Sequence, residues 1–246
     1  MKLVSKDGWA IVPQDNSFLY YEMNSKGDEI GYFRYSFDNI VEIDKDTYSE
    51  GKYGIGYKSV VEYFEDDAVI PSSIRLEYGS IIVTEYKNSS IHKFDGNGNL
   101  IWVNESMGEY DSIYSLAYPK DFFWCVYPTS NMIKKFSLNT FKEEISIGEL
   151  VNGTFNYPEF AIAYGDRLYV CDMQNYRICI IDLNTNELSE YLKFNEPTWE
   201  YFQIDGKEIV RLESGIYIKD WVGVYFNNLF FICYDALVKK CAIENR

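Results

Sequence analysis

A pattern recurs along this chain every forty-odd residues, and it constrains the fold more than any single motif. The clearest copy, GTFNYPEFAIAYGDRLYVCDMQNYRICIIDLNTNEL, runs from Gly153 to Leu188. The stretch from Ser112 to Ile145 repeats its order: small-apolar-Ala-Tyr, a turn, an aromatic and apolar run, a polar stretch, an isoleucine, a third apolar run, then Leu-Asn-Thr. Ser72–Leu100 is a third copy and Tyr201–Ile218 a fourth. The marker isoleucines Ile91, Ile133, Ile178 and Ile218 are 42, 45 and 40 residues apart. Repeats with such a period are stacked units, because one unit cannot bury its own apolar faces.

Each copy reads as short strands joined by tight turns. Ile81–Thr84, Phe122–Val126 and Leu168–Cys171 are β-branched or aromatic runs, residues that pack well on a pleated surface. Tyr-Gly-Ser, Tyr-Gly-Asp and Asp-Gly-Lys precede the second strand as hairpin turns. About four strands per repeat is the signature of a propeller blade. The expected fold is therefore an all-β propeller of four-stranded blades filling residues 1–246 as one domain. Dividing 246 residues by the period gives nearly six blades, with five to seven allowed by the irregular ends. Trp9–Val12, Phe18–Met23 and Glu29–Tyr35 read as strands of a first blade. Residues 38–70 are assigned another blade, and no window shows an amphipathic helix. The apolar runs after Asp220 are expected to close the ring against the N-terminal strands, which would remove open sheet edges.

The segment Pro158–Asp182 resembles the NHL repeat through Pro158, Leu168, Tyr169, Val170, Asp172, Asn175, Arg177 and Ile178. The likeness is partial at 112–145, where Asn131 and Ile133 match, and weaker at 72–100, which keeps Glu85 and Ile91. The resemblance implies a propeller related in architecture to lactonases and lyases of the regucalcin, paraoxonase and streptogramin-lyase type. Such folds host enzymes and binding modules alike, so the fold does not name the activity. Asp172, Asn175 and Arg177 are read as a structural knot, a strand-end carboxylate holding turn N–H groups and pairing across a hairpin.

The chain carries 23 Lys+Arg against 38 Asp+Glu, a net charge of −15. That excess repels a phosphate backbone and an anionic membrane, so neither nucleic acid nor membrane is expected as a partner. A basic protein, a peptide or a cation is the electrostatically natural one. The five cysteines show no CxxC pair and no secretion signal precedes them. Free buried thiols in a reducing compartment, the cytoplasm, are the expectation. His92 is the only histidine and is assigned to a third strand away from the axis, as a structural residue. Asp95-Gly-Asn-Gly-Asn reads as a hairpin turn. No nucleophile elbow, P-loop or dinucleotide fingerprint is present.

Aligned blade entries bring out one constellation. They read Pro71-Ser72-Ser73, Asp111-Ser112-Ile113, Tyr157-Pro158-Glu159 and Thr198-Trp199-Glu200. First strands line a propeller's channel, so Asp111, Glu159 and Glu200 are candidates for one mouth, flanked by Tyr110, Tyr157, Trp199 and Tyr201. No cofactor is assigned outright; hard oxygen ligands from several blades suit Ca²⁺ or Mg²⁺. The leading functional expectation is a cytoplasmic binding or scaffold module that holds a protein or peptide on one propeller face. The alternative is a divalent-metal-dependent hydrolase or lyase, lactonase-like, with an axial carboxylate site. A third is a structural or immunity-type protein that caps a basic partner by charge.

Overall fold

The computed structural model describes residues 1–37, 39–67, 71–77, 79–85, 90–104, 113–117, 122–140, 142–148, 154–219, 222–226 and 229–233. The chain opens with β1 (Lys2–Ser5). Blade 1 follows as β2 (Gly8–Pro13), β3 (Phe18–Met23), β4 (Glu29–Tyr35) and β5 (Ile40–Ile43). Two helices come next, α1 (Lys45–Tyr53) and α2 (Tyr57–Asp67). Blade 2 is β6 (Pro71–Glu77), β7 (Ser80–Glu85), β8 (Ile91–Phe94) and β9 (Leu100–Asn104). Blade 3 is β10 (Ser115–Ala117), β11 (Phe122–Tyr127), β12 (Met132–Ser137) and β13 (Glu143–Ile147). Blade 4 is β14 (Pro158–Tyr164), β15 (Arg167–Asp172), β16 (Arg177–Asp182) and β17 (Leu188–Lys193). Blade 5 takes β18 (Thr198–Ile204), β19 (Lys207–Leu212) and β20 (Gly215–Lys219) from its own repeat, and its fourth strand is β1. A final pair, β21 (Val222–Phe226) and β22 (Leu229–Cys233), forms a separate two-stranded sheet.

The propeller thus has five four-stranded blades among the described residues, not six. Two misassigned segments account for the difference. Within residues 38–70, the stretch assigned a blade of its own, 45–53 and 57–67 are helical. Among the described residues the strands after Asp220, β21 and β22, pair only with each other and do not close the ring; the last apolar run, 237–243, lies outside the described residues. Closure comes from β1, which pairs antiparallel with β20, Lys2 opposite Ile218 and Leu3 opposite Tyr217. Ser5 Oγ then donates to Glu22 Oε1 of β3 at 2.7 Å, tying this strand to blade 1 as well.

Apolar seams join the blades. Ile82 and Ile91 of blade 2 meet Leu116, Phe123 and Cys125 of blade 3. Trp124, Val126 and Ile133 meet Leu168, Val170 and Cys179 of blade 4. Cys171 and Ile178 meet Tyr201, Val210 and Leu212 of blade 5. Phe202, Ile209 and Ile216 meet Phe18, Tyr20 and Tyr35 of blade 1. Each fully buried aliphatic or aromatic side chain stabilises by about 1.5–3 kcal/mol relative to exposure, so these seams dominate the fold's energetics. The helices fill the one remaining seam. Tyr48 of α1 packs on Val12 and Leu19 of blade 1, while Val60 and Phe64 of α2 pack on Ile81, Val83 and Phe94 of blade 2.

Candidate functional site

The inner strands do not run smoothly. In blade 4, Pro158 pairs with Asp172 and Phe160 with Cys171, which leaves Glu159 as an extra residue. In blade 5, Thr198 pairs with Leu212 and Glu200 with Arg211, which leaves Trp199 extra. In blade 1 the register slips between Trp9 and Val12, with Ala10 at φ 49°. A bulge bends its strand and re-aims the side chains beside it. Here the bulges recur at the same level around the axis. Glu159, Trp199, Glu200, Ala10 and Ile11 all line one cavity of about 1130 Å³.

The wall of that cavity is aromatic and charged. The Trp9 and Trp199 rings meet edge to face, centroids 5.8 Å apart. The Arg211 guanidinium lies 3.8 Å from the centre of the Trp9 ring. Its side chain is 1% exposed, and its Nε and Nη1 have no hydrogen-bond partner. Burial lowers the Arg211 pKa, and the carboxylate of Glu200 opposes that shift. Trp199 Nε1 donates to Glu213 Oε2 at 2.8 Å, which fixes the indole. Helix α1 contributes Lys52 and Tyr53 to the same wall.

The two glutamates do different work. Glu200 Oε2 accepts the N–H of Ile11 at 3.0 Å, and Tyr48 of α1 donates to the carbonyl of Ala10 at 2.8 Å. The blade 1 bulge is thereby held from blade 5 on one side and from the helix on the other. Glu159 Oε2 is buried and accepts no hydrogen bond. Burial first, and the negative charge of Glu200 second, push the Glu159 pKa up to about 7. A carboxyl with that pKa in a cavity can exchange protons near neutral pH.

Of the residues expected at the mouth, Glu159, Glu200 and Trp199 come together in this cavity. Tyr157 does not line it; its N–H donates to Asn131 Oδ1 at 2.7 Å, and its ring stands edge-on to Tyr114 at 6.3 Å. Tyr201 is fully buried between blades 4 and 5, stacked on Tyr169 with centroids 4.9 Å apart. Asp111 and Tyr110 lie outside the described residues. Among the described residues no three His, Cys, Asp or Glu side chains come together to hold a metal ion. Trp9 and Tyr53 escaped the blade-entry alignment because it began at Pro71, after blade 1 and the helices, and Arg211 because it sits on the second strand of blade 5 and not at a blade entry.

Two polar clusters elsewhere have structural geometry. Asp172 Oδ1 accepts the N–H of Asn156 at 2.7 Å, and Oδ2 accepts from Asn175 Nδ2 at 2.9 Å and Arg177 Nε at 2.7 Å. On β8, His92 Nε2 is 3.0 Å from Ser90 Oγ, which itself donates to Glu85 Oε2 at 2.6 Å. The hydroxyl sits between imidazole and carboxylate, whereas nucleophile activation needs the imidazole in the middle.

No family model matches the chain, and no curated protein matches it. Solved structures do. The WD40 β-propeller domain of Doa1 is 9% identical, with 85% of this chain and 62% of that one covered and a TM-score of 0.50. A protein of unknown function from Bacteroides caccae is 12% identical, with 82% and 69% covered and a TM-score of 0.50. A catalytically inactive virginiamycin B lyase from Staphylococcus aureus, solved with quinupristin, is 16% identical, with 87% and 65% covered and a TM-score of 0.49. The chain spans less than two thirds of the Doa1 domain and of the lyase. What the chain shares with the Doa1 domain is the β-propeller fold, not specifically the NHL repeat.

Proposed function

We propose that this propeller works through its axial cavity, as the binding site of a small organic ligand, rather than through an outer face. One observation carries the reading: a cavity of about 1130 Å³, walled by Trp9 and Trp199, into which the recurrent bulges turn Glu159 and Glu200. Aromatic walls with a few fixed polar groups are what ligand sites use. The test is a thermal melt of wild type and Trp199→Ala against a panel of amines, acids, esters and lactones. A ligand at 100 times its Kd stabilises by about 2.7 kcal/mol, and that shift should appear in wild type and vanish in the variant. Stabilisation by a ligand equally in both proteins would place binding elsewhere.

Glu159 favours a second reading, an acid–base enzyme of hydrolase or lyase type acting on a ligand in the same cavity. With its pKa up to about 7, Glu159 serves as general base above neutral pH. Turnover of a lactone or ester should rise with pH through about 7 and be lost in Glu159→Gln. A flat pH profile across that range, or full activity in the variant, would remove the enzyme reading.

A further inference from the structure

The cavity wall carries four carboxylates, Glu159, Glu200, Asp15 and Asp205, against two cations, Lys52 and Arg211. These groups are not equally available. Glu200 already accepts the N–H of Ile11, and Arg211 lies in the field of Glu200, Glu213 and Glu196. An anion brought to Arg211 would meet those three carboxylates. Glu159 differs from the other carboxylates because its Oε2 is buried and receives no donor. A buried acceptor without a donor is costly, and a ligand N–H would relieve that cost. The wall itself shows what it accepts. Arg211 rests its guanidinium 3.8 Å from the Trp9 ring centre, and Trp199 stands edge-on beside Trp9. Aromatic faces next to carboxylates favour organic cations.

From this geometry we infer that the axial cavity takes an organic cation, a primary ammonium or amidinium group on an aromatic frame, with Glu159 as its counter-ion. The inference rests on the reading of the cavity as a ligand site and narrows it to one chemical class. Ammonium or amidinium supplies the missing donor, and the aromatic frame packs on Trp9 and Trp199. The charge of the ligand offsets the excess of acidic groups on the wall.

Calorimetric titration with benzylammonium and benzamidinium, against benzyl alcohol and benzoate, tests this. The cations should bind wild type at least about tenfold more tightly than either control, the difference one good charge contact makes. Glu159→Gln should abolish that preference while unfolding cooperatively, and Glu42→Gln, on the exposed β5, should leave it intact. A preference that survives Glu159→Gln, equal or tighter binding of benzoate or benzyl alcohol, or no saturable binding of any of the four would overturn the cation assignment. Binding of benzoate or the alcohol that is lost in Trp199→Ala would sink the cation while leaving the cavity as the ligand site.

Discussion

Glu159 is unusual for an acidic residue in that the fold holds its charged form at a disadvantage. Its ordinary pKa is 4.5 and the folded state moves it to about 7. An acid with a raised folded pKa binds more protons folded than unfolded between those two values. Stability is therefore lost as pH climbs through that window. Glu159→Gln should melt like wild type below about pH 4.5 and gain stability above it, on the order of 3 kcal/mol by pH 8. Parallel melting curves for the two proteins from pH 4 to 8 would refute it. Asp172 is a fully buried carboxylate that accepts from three donors. Asp172→Ala removes one partner of a buried ion pair, which costs about 3–5 kcal/mol. In a chain of this size that is a fall in Tm of about 10 °C. Ligand binding in the cavity should persist at temperatures where the variant is folded. The structural role of this residue was legible, because Asp-x-x-Asn-x-Arg spans a hairpin end. The role of Glu200 was not, because its acceptor job depends on Ile11, 189 residues away in sequence.

Among the elements, the strands were readable and the helices were not. The third-strand markers Ile91, Ile133 and Ile178 are all buried at the second rung of their hairpins. In blade 5 that rung belongs to Ile216, opposite Arg211, and not to Ile218. Side chains alternate with period two along a strand, so the two-residue offset left the buried face unchanged and the repeat stayed recognisable. Helix α1 offers no comparable stripe. Its only buried residues are Tyr48 and Ser49, and its start is set by Asp44, whose side chain accepts the N–H of Thr47 at 2.7 Å. A nine-residue helix is marginal on its own and forms because tertiary packing holds it. Tyr48 is the anchor, through its ring contacts with Tyr21 and Tyr32 and its bond to Ala10. Tyr48→Phe keeps the packing and drops the bond, for a loss of about 1 kcal/mol. The ligand affinity of the cavity should fall with it, since Ala10 and Tyr53 both line the wall. Unchanged stability and affinity would show that the helix does not brace the bulge.

For the molecule as a whole, five blades and a helical wedge complete the ring, and β1 fastens it. Deleting residues 1–6 should expose the edge of β20 and lower Tm by several degrees for each kcal/mol lost. Concentration-dependent aggregation should follow, as open edges template pairing with other chains. An unchanged Tm in light scattering and calorimetry would mean the ring closes without β1. The sequence by itself determined the repeat, the strand pattern within each blade and the side chains that face the seams. Those follow from local periodicity, which a chain carries in every copy. Blade number, ring closure and the makeup of the cavity were decided only by tertiary structure. Each depends on which distant segments meet. Strand β1 pairs with β20 across more than 200 residues, and α1 and α2 fill the seam between blades 1 and 2. Trp9, Glu159 and Glu200 share a wall because three bulged strands converge on one axis. No spacing along the chain encodes that convergence, since it is the packing of blade against blade that sets it.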